Sequence, residues 1–87
     1  MKEIRKYDIL LEISSPQGLL TRQMVSLAEF PGAAGRFEVL RGHAPLISSL
    51  VKGRIRWNEG EREGSLEILS GFVEVLGNKI SACVETA

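Results

Sequence analysis

Gly35-Arg36-Phe37-Glu38-Val39-Leu40-Arg41-Gly42-His43-Ala44-Pro45-Leu46 is the stretch whose reading decides the fold. Phe37 and Val39 alternate with Arg36, Glu38 and Leu40, a period of two that fits a half-buried strand and not a helix. Gly42 can take the positive φ that most residues avoid, so the chain can turn sharply there. Pro45 fixes its own φ, lacks an N–H, and pushes Ala44 toward extended backbone. The stretch therefore reads as strand, tight polar turn, and re-entry into apolar sequence, with His43 at the tip of a stiff loop. Such a loop suits docking better than it suits a moving lid.

The same period extends in both directions. Tyr7, Ile9, Leu11 and Ile13 alternate with Asp8, Leu10, Glu12 and Ser14, which predicts a strand after a charged start. Ser14-Ser15-Pro16-Gln17-Gly18 is a turn by composition, and Leu19 to Leu27 carries one or two strands. Phe30-Pro31-Gly32-Ala33-Ala34-Gly35 reads as a glycine-rich loop. A phosphate-cradling loop would open a helix bearing Lys-Ser/Thr, and none follows, so phosphate binding is not expected there. Downstream, Ile55 and Trp57 face in while Arg54, Arg56 and Asn58 face out, and Glu59 to Gly64 forms a charged hairpin loop. Leu66 and Ile68, then Val73 and Val75, then Ile80, Ala82 and Val84 repeat the alternation, with Ser70-Gly71 and Gly77-Asn78 as the turns between them. No segment sustains helical spacing. The pattern predicts an all-β antiparallel sandwich, or flattened barrel, of about eight to ten short strands.

Composition bounds the function. The 87 residues suit a single domain spanning 1–87, and 44% hydrophobic residues suffice for one core. Eleven basic residues cancel eleven acidic ones, so no global field points to nucleic acid or to an anionic membrane. The single cysteine, Cys83, excludes an internal disulfide framework and fits a reducing compartment. No apolar run reaches the roughly 20 residues that span a bilayer, and Met1-Lys2-Glu3-Ile4-Arg5-Lys6 lacks a signal-peptide core. Any membrane association is expected to come through another subunit.

Candidate chemistry is sparse. His43 is the one histidine, which rules out paired-histidine metal sites, and Cys83 has no base beside it in sequence. Cys83 reads as a small filler residue. Asp8, Glu12, Glu38, Glu67, Glu74 and Glu85 fall mostly on the outward phase, with no convergent pair for acid–base work. Arg54 and Arg56 are out of phase with Trp57, which argues against a nucleic-acid stripe. One feature is left over. Leu10, Leu40, Leu69, Phe72 and Leu76 place apolar side chains on the nominally outer face, and in a sandwich this small that predicts a partner interface, the alternative being cover by the chain's own loops.

Gly42-His43-Ala44-Pro45-Leu46, then Lys52-Gly53, then Leu69-Ser70-Gly71-Phe72-Val73-Glu74-Val75, then Asn78-Lys79-Ile80 follow one another at spacings that resemble the epsilon chain of F-type ATP synthase. The resemblance runs from about Tyr7 to the end and implies the sandwich over the barrel. It implies a non-catalytic central-stalk subunit that binds gamma, rests on the c ring, and couples proton-driven rotation to ATP synthesis. It further implies a peripheral location on the cytoplasmic side of a bacterial inner membrane, with no cofactor, metal, nucleic acid or small-molecule substrate. Ala33, Ala34, Gly35, Arg36, Arg41, Gly42 and His43 match the family's edge facing the c ring. Ala44, Leu46 and Ile47 match the segment toward gamma, and Leu10, Leu69 and Phe72 are added to that side as outward apolar residues. Replacing Arg36 and His43 together is expected to weaken ring association and leave folding intact.

The chain departs from the pattern at Glu38 and Arg41, where glycine and proline are common, and at Ser70-Gly71, where two glycines are usual. In the family a two-helix domain usually follows the sandwich, whereas this sequence stops at Val84-Glu85-Thr86-Ala87. Inhibition of ATP hydrolysis and nucleotide sensing, which belong to that helical pair, are accordingly not expected here. The alternative reading, a stand-alone sandwich binding a peptide or carbohydrate, calls for clustered exposed aromatics.

Overall fold

The computed structural model describes residues 8–87; the charged start and Tyr7 lie outside the described residues. Nine strands follow one another without a helix among them: β1 (Ile9–Ser15), β2 (Gly18–Val25), β3 (Leu27–Gly32), β4 (Gly35–Val39), β5 (Leu46–Leu50), β6 (Gly53–Asn58), β7 (Glu63–Ile68), β8 (Ser70–Leu76) and β9 (Lys79–Glu85). They form one curled sheet in the order β2-β1-β9-β8-β5-β3-β6-β7, with β4 attached to β3. A single residue pair, Gly32 with Leu50, joins β3 to β5. That narrow seam divides the sheet into two halves that fold face to face. The all-β sandwich read from the alternation is thus what the chain forms.

Each half contributes one inward face. Ile9, Leu11, Ile13, Val73, Val75, Ile80, Ala82 and Val84 come from the first half, and Ala28, Phe30, Val39, Ile55, Trp57 and Ile68 from the second, and all join one cluster. Phe30 is fully buried and stacks on Phe37, with ring centroids 5.6 Å apart. Among the described residues no polar or charged side chain is buried. A core with nothing to desolvate resists deformation by packing alone.

Five local readings change. β1 and β9 pair in parallel, Leu10 opposite Lys79 and Ser14 opposite Cys83, so the sandwich is not wholly antiparallel. Phe30 to Gly32 belongs to β3 and is not loop. Pro31 is tolerated because β3 lies at the corner where β6 gives way to β5, and its carbonyl there accepts a hydrogen bond from Val51 N–H. Ser70-Gly71 lies inside β8, the bend being at Leu69; Gly71 is glycine because a Cβ would lie 2.5 Å from the Cys83 carbonyl oxygen. Glu63-Gly64 opens β7, and Gly64 leaves room for the Trp57 indole that lies across it. Cys83 is exposed, so it fills no core space.

Candidate docking surface

The two outer faces of the sandwich differ. On the second half, Glu29, Arg36, Glu38, Arg54, Arg56 and Glu67 project outward. Arg54 pairs with Glu67 across the β6–β7 ladder, and the Arg36 guanidinium donates to the Arg54 carbonyl (2.7 Å) and reaches Glu29 (3.5 Å). This face is a solvated charge lattice of the kind that contributes little to stability. On the first half, Ile47, Phe72 and Leu76 are exposed together. Strand register explains the grouping: Ile47 stands opposite Glu74, diagonal to both Phe72 and Leu76, while Leu76 faces Lys79 and Lys79 faces Leu10. Leu10 and Met24 are opposite each other farther along, and Glu12, bonded to Arg22 (2.9 Å) and near Lys79 (3.8 Å), borders the patch.

The loop from Leu40 to Pro45 sits at one end of the sandwich and is tied down at several residues. Gly42 has the positive φ (81°) expected of it. Its N–H donates to Asn78 Oδ1 at 3.0 Å. Arg41 pairs with Asp8 at 3.0 Å. The His43 N–H donates to the Leu40 carbonyl at 3.1 Å. His43 Nδ1 lies 2.8 Å from the Ala44 carbonyl, a contact that requires a proton on Nδ1 and leaves Nε2 as the unprotonated nitrogen of a neutral ring.

The structure brings some of the residues singled out above together and separates others. Ala33 and Ala34 form the exposed β3–β4 turn, followed by exposed Gly35 and Arg36. Arg41, Gly42 and His43 lie beyond the opposite end of β4, roughly 15 Å away for a five-residue strand. The two segments are therefore held apart by the length of β4. Of the second group, Ile47, Phe72 and Leu10 lie on the one outer face, and exposed Ala44 lies in the loop leading to it. Leu46 points inward and packs against the core. Leu69 is exposed at the β7–β8 bend, where its N–H donates to the Glu85 carbonyl, away from the Phe72 face. Leu40 too is exposed, just past the end of β4. The anchoring roles of Asp8 and Asn78 were missed, since a contact between a first strand and a late turn leaves no local pattern. Alternation alone does not pick out Ile47 and Met24 as patch members; strand register adds both.

Among the described residues, no group of three or more His, Cys, Asp or Glu side chains converges as a metal site would require.

The comparisons agree with the geometry. The model of the ATP synthase delta/epsilon chain β-sandwich domain matches residues 8–87. The chain is 41% identical over 70 residues to the ATP synthase epsilon chain of Chlorobaculum tepidum, covering 79% of this chain and 80% of that one. It is 38% identical over 77 residues to the ATP synthase epsilon chain of Magnetococcus marinus, covering 88% of this chain and 56% of that relative's length. In fold it is similar to a chain of the Euglena gracilis mitochondrial ATP synthase OSCP/F1/c-ring assembly, with a TM-score of 0.83 at 20% identity over 95% of this chain and 53% of the other. A chain of the Tetrahymena thermophila mitochondrial ATP synthase central stalk and c-ring gives a TM-score of 0.76 at 12% identity, over 94% and 66% of the two chains. This chain belongs to the ATP synthase delta/epsilon family, through its β-sandwich domain.

Proposed function

We propose that the chain is the epsilon-type rotor subunit of a bacterial F-type ATP synthase, a rigid adaptor that binds gamma and the c ring and breaks no bonds itself. The observation that carries this reading is the contrast between one charged, self-paired outer face and one apolar face of Ile47, Phe72 and Leu76. Exposed apolar groups grouped in this way favour a protein partner, and in this family gamma is the candidate. The two separated segments are assigned to two partners. Ala33, Ala34, Gly35 and Arg36 go to the c ring. Arg41, Gly42 and His43, continuous with Ala44 and Ile47, go with gamma. Proton-driven rotation of the ring then turns both through a body whose apolar core does not yield. ATP chemistry is left to other chains, with no cofactor or small-molecule substrate held here. Association with the cytoplasmic side of the inner membrane comes through the complex.

The stand-alone binding module is disfavoured by the aromatics: among the described residues, Phe30 and Trp57 are buried and Phe37 is partly buried against Phe30, which leaves Phe72 exposed. The test is reconstitution with purified gamma and with membranes carrying the c ring, from the organism that encodes the chain. Arg36→Ala is expected to weaken recovery with the membranes and leave gamma binding unchanged; His43→Ala is expected to do the reverse. A wild-type chain that binds neither gamma nor the membranes overturns the proposal.

A further inference from the structure

We propose that Asn78, on the turn between β8 and β9, is a positioning residue that sets the shape of the Arg41–His43 loop for its partner. This rests on the reading of that loop as part of the gamma-side surface.

Asn78 joins three parts of the chain that are remote in sequence. Its backbone carbonyl accepts the Leu10 N–H at 2.9 Å, which fastens the turn to the start of β1. Its side-chain Oδ1 accepts the Gly42 N–H at 3.0 Å, which fastens the loop to the turn. Directly beside it, Asp8 precedes β1 and holds Arg41 at 3.0 Å. Consecutive loop residues are thus gripped by two neighbouring anchors. The turn itself is firmly built: Leu76 pairs with Lys79 across two residues, and Gly77 has φ +64° while Asn78 has negative φ, the pattern of a type II′ hairpin. Asn78 is therefore not required for its backbone conformation, and its side chain is free to serve the loop. The two contacts within the loop, the His43 N–H to the Leu40 carbonyl and His43 Nδ1 to the Ala44 carbonyl, fix local shape only. The contact to Asn78 fastens the Gly42 backbone itself, next to His43, whereas Asp8 holds Arg41 through its flexible side chain.

Three chains test this: wild type, Asn78→Ala and Asn78→Asp. Alanine removes the acceptor, and aspartate keeps an acceptor oxygen in its place. Amide hydrogen exchange is read at Gly42, and affinity by titration with the purified gamma subunit. In Asn78→Ala, Gly42 exchange is expected to rise about fivefold or more and gamma affinity to fall about three- to tenfold, the scale of one net hydrogen bond. Exchange of core amides such as Val73 and the melting temperature are expected to stay put. Asn78→Asp is expected to restore both quantities to within twofold of wild type. Unchanged Gly42 exchange in Asn78→Ala overturns the anchoring, and faster exchange with unchanged affinity overturns the positioning role. If wild-type chain fails to bind gamma, the functional reading falls and the positioning role falls with it; normal wild-type binding with an indifferent Asn78→Ala removes the positioning role alone.

Discussion

Replacing Ile47, Phe72 and Leu76 together with serine should separate docking from folding. These side chains are 75%, 58% and 61% exposed in the free chain and lie on the side of β5 and β8 away from the core. Fully burying one large apolar side chain is worth about 1.5–3 kcal/mol. Their exposed fractions together approach two whole side chains, so covering them contributes on the order of 3–6 kcal/mol to association. Ordering of partner side chains takes back part of this, leaving a loss in affinity of about 100-fold or more for the triple variant. Folding should be nearly untouched, because surface changes away from special backbone sites stay within roughly 0.5 kcal/mol. Calorimetric titration against gamma gives the affinity, and thermal unfolding of the free chain gives the stability. The matched control is Arg54→Ser with Glu67→Ser on the charged face, which should bind as wild type does. A triple variant that binds gamma within twofold of wild type would refute the assignment of this face. So would a control that loses as much affinity as the triple.

Other perturbations test the interior. Gly64→Ala places a Cβ against the Trp57 indole with no room between them, so the ring must move. The cost should be about 1–3 kcal/mol, read as a lower denaturant midpoint with altered Trp57 fluorescence. Gly71→Ala is worse, since the Cβ would meet the Cys83 carbonyl oxygen at 2.5 Å and Val84 Cα at 3.0 Å, backbone atoms that cannot rotate away. It should destabilise by more than the Trp57 clash does, roughly 3 kcal/mol or above, and a Gly71→Ala chain melting like wild type would contradict the described register. Glu67→Gln breaks an ion pair whose members are 54% and 72% exposed, so its effect on stability should not exceed about 0.5 kcal/mol at ordinary salt.

Strand alternation made much of this fold legible, because a side chain's phase along a strand decides its face. Ile9, Leu11 and Ile13, or Ile55 and Trp57, can be read one after another as core, and all are buried. What alternation does not carry is which strands are neighbours and in which direction. Nothing local marks β1 and β9 as a parallel pair, and nothing local says that Arg36 and His43, seven positions apart, end up at opposite ends of a strand. Gly64 and Gly71 misled for a shared reason. Glycine usually signals a turn, but here it marks a strand position where an indole or a neighbouring backbone comes too close for a side chain. Pro31 misled likewise, by sitting where the sheet turns its corner. The docking surface was half visible: outward leucines and Phe72 announced an unmet apolar area, but only the register across β5, β8, β9 and β1 gathers Ile47, Phe72, Leu76 and Leu10 into one patch.

The side-by-side placement of β1 and β9 also governs how the protein comes into being. The Ser14 hydroxyl bonds the Ala82 carbonyl, 68 positions away, and β1 is flanked by β2 on one edge and by β9 on the other. A nascent chain leaving the ribosome can therefore zip β1 to β2 early, yet must hold the other edge of β1 open until β9, seven strands after β2, has been synthesised. Closure by so remote a partner makes for slow, late-committing folding. During that interval the bare edge of β1, flanked by Leu10 and Ile13, is the place where a chaperone or an unwanted strand would first attach.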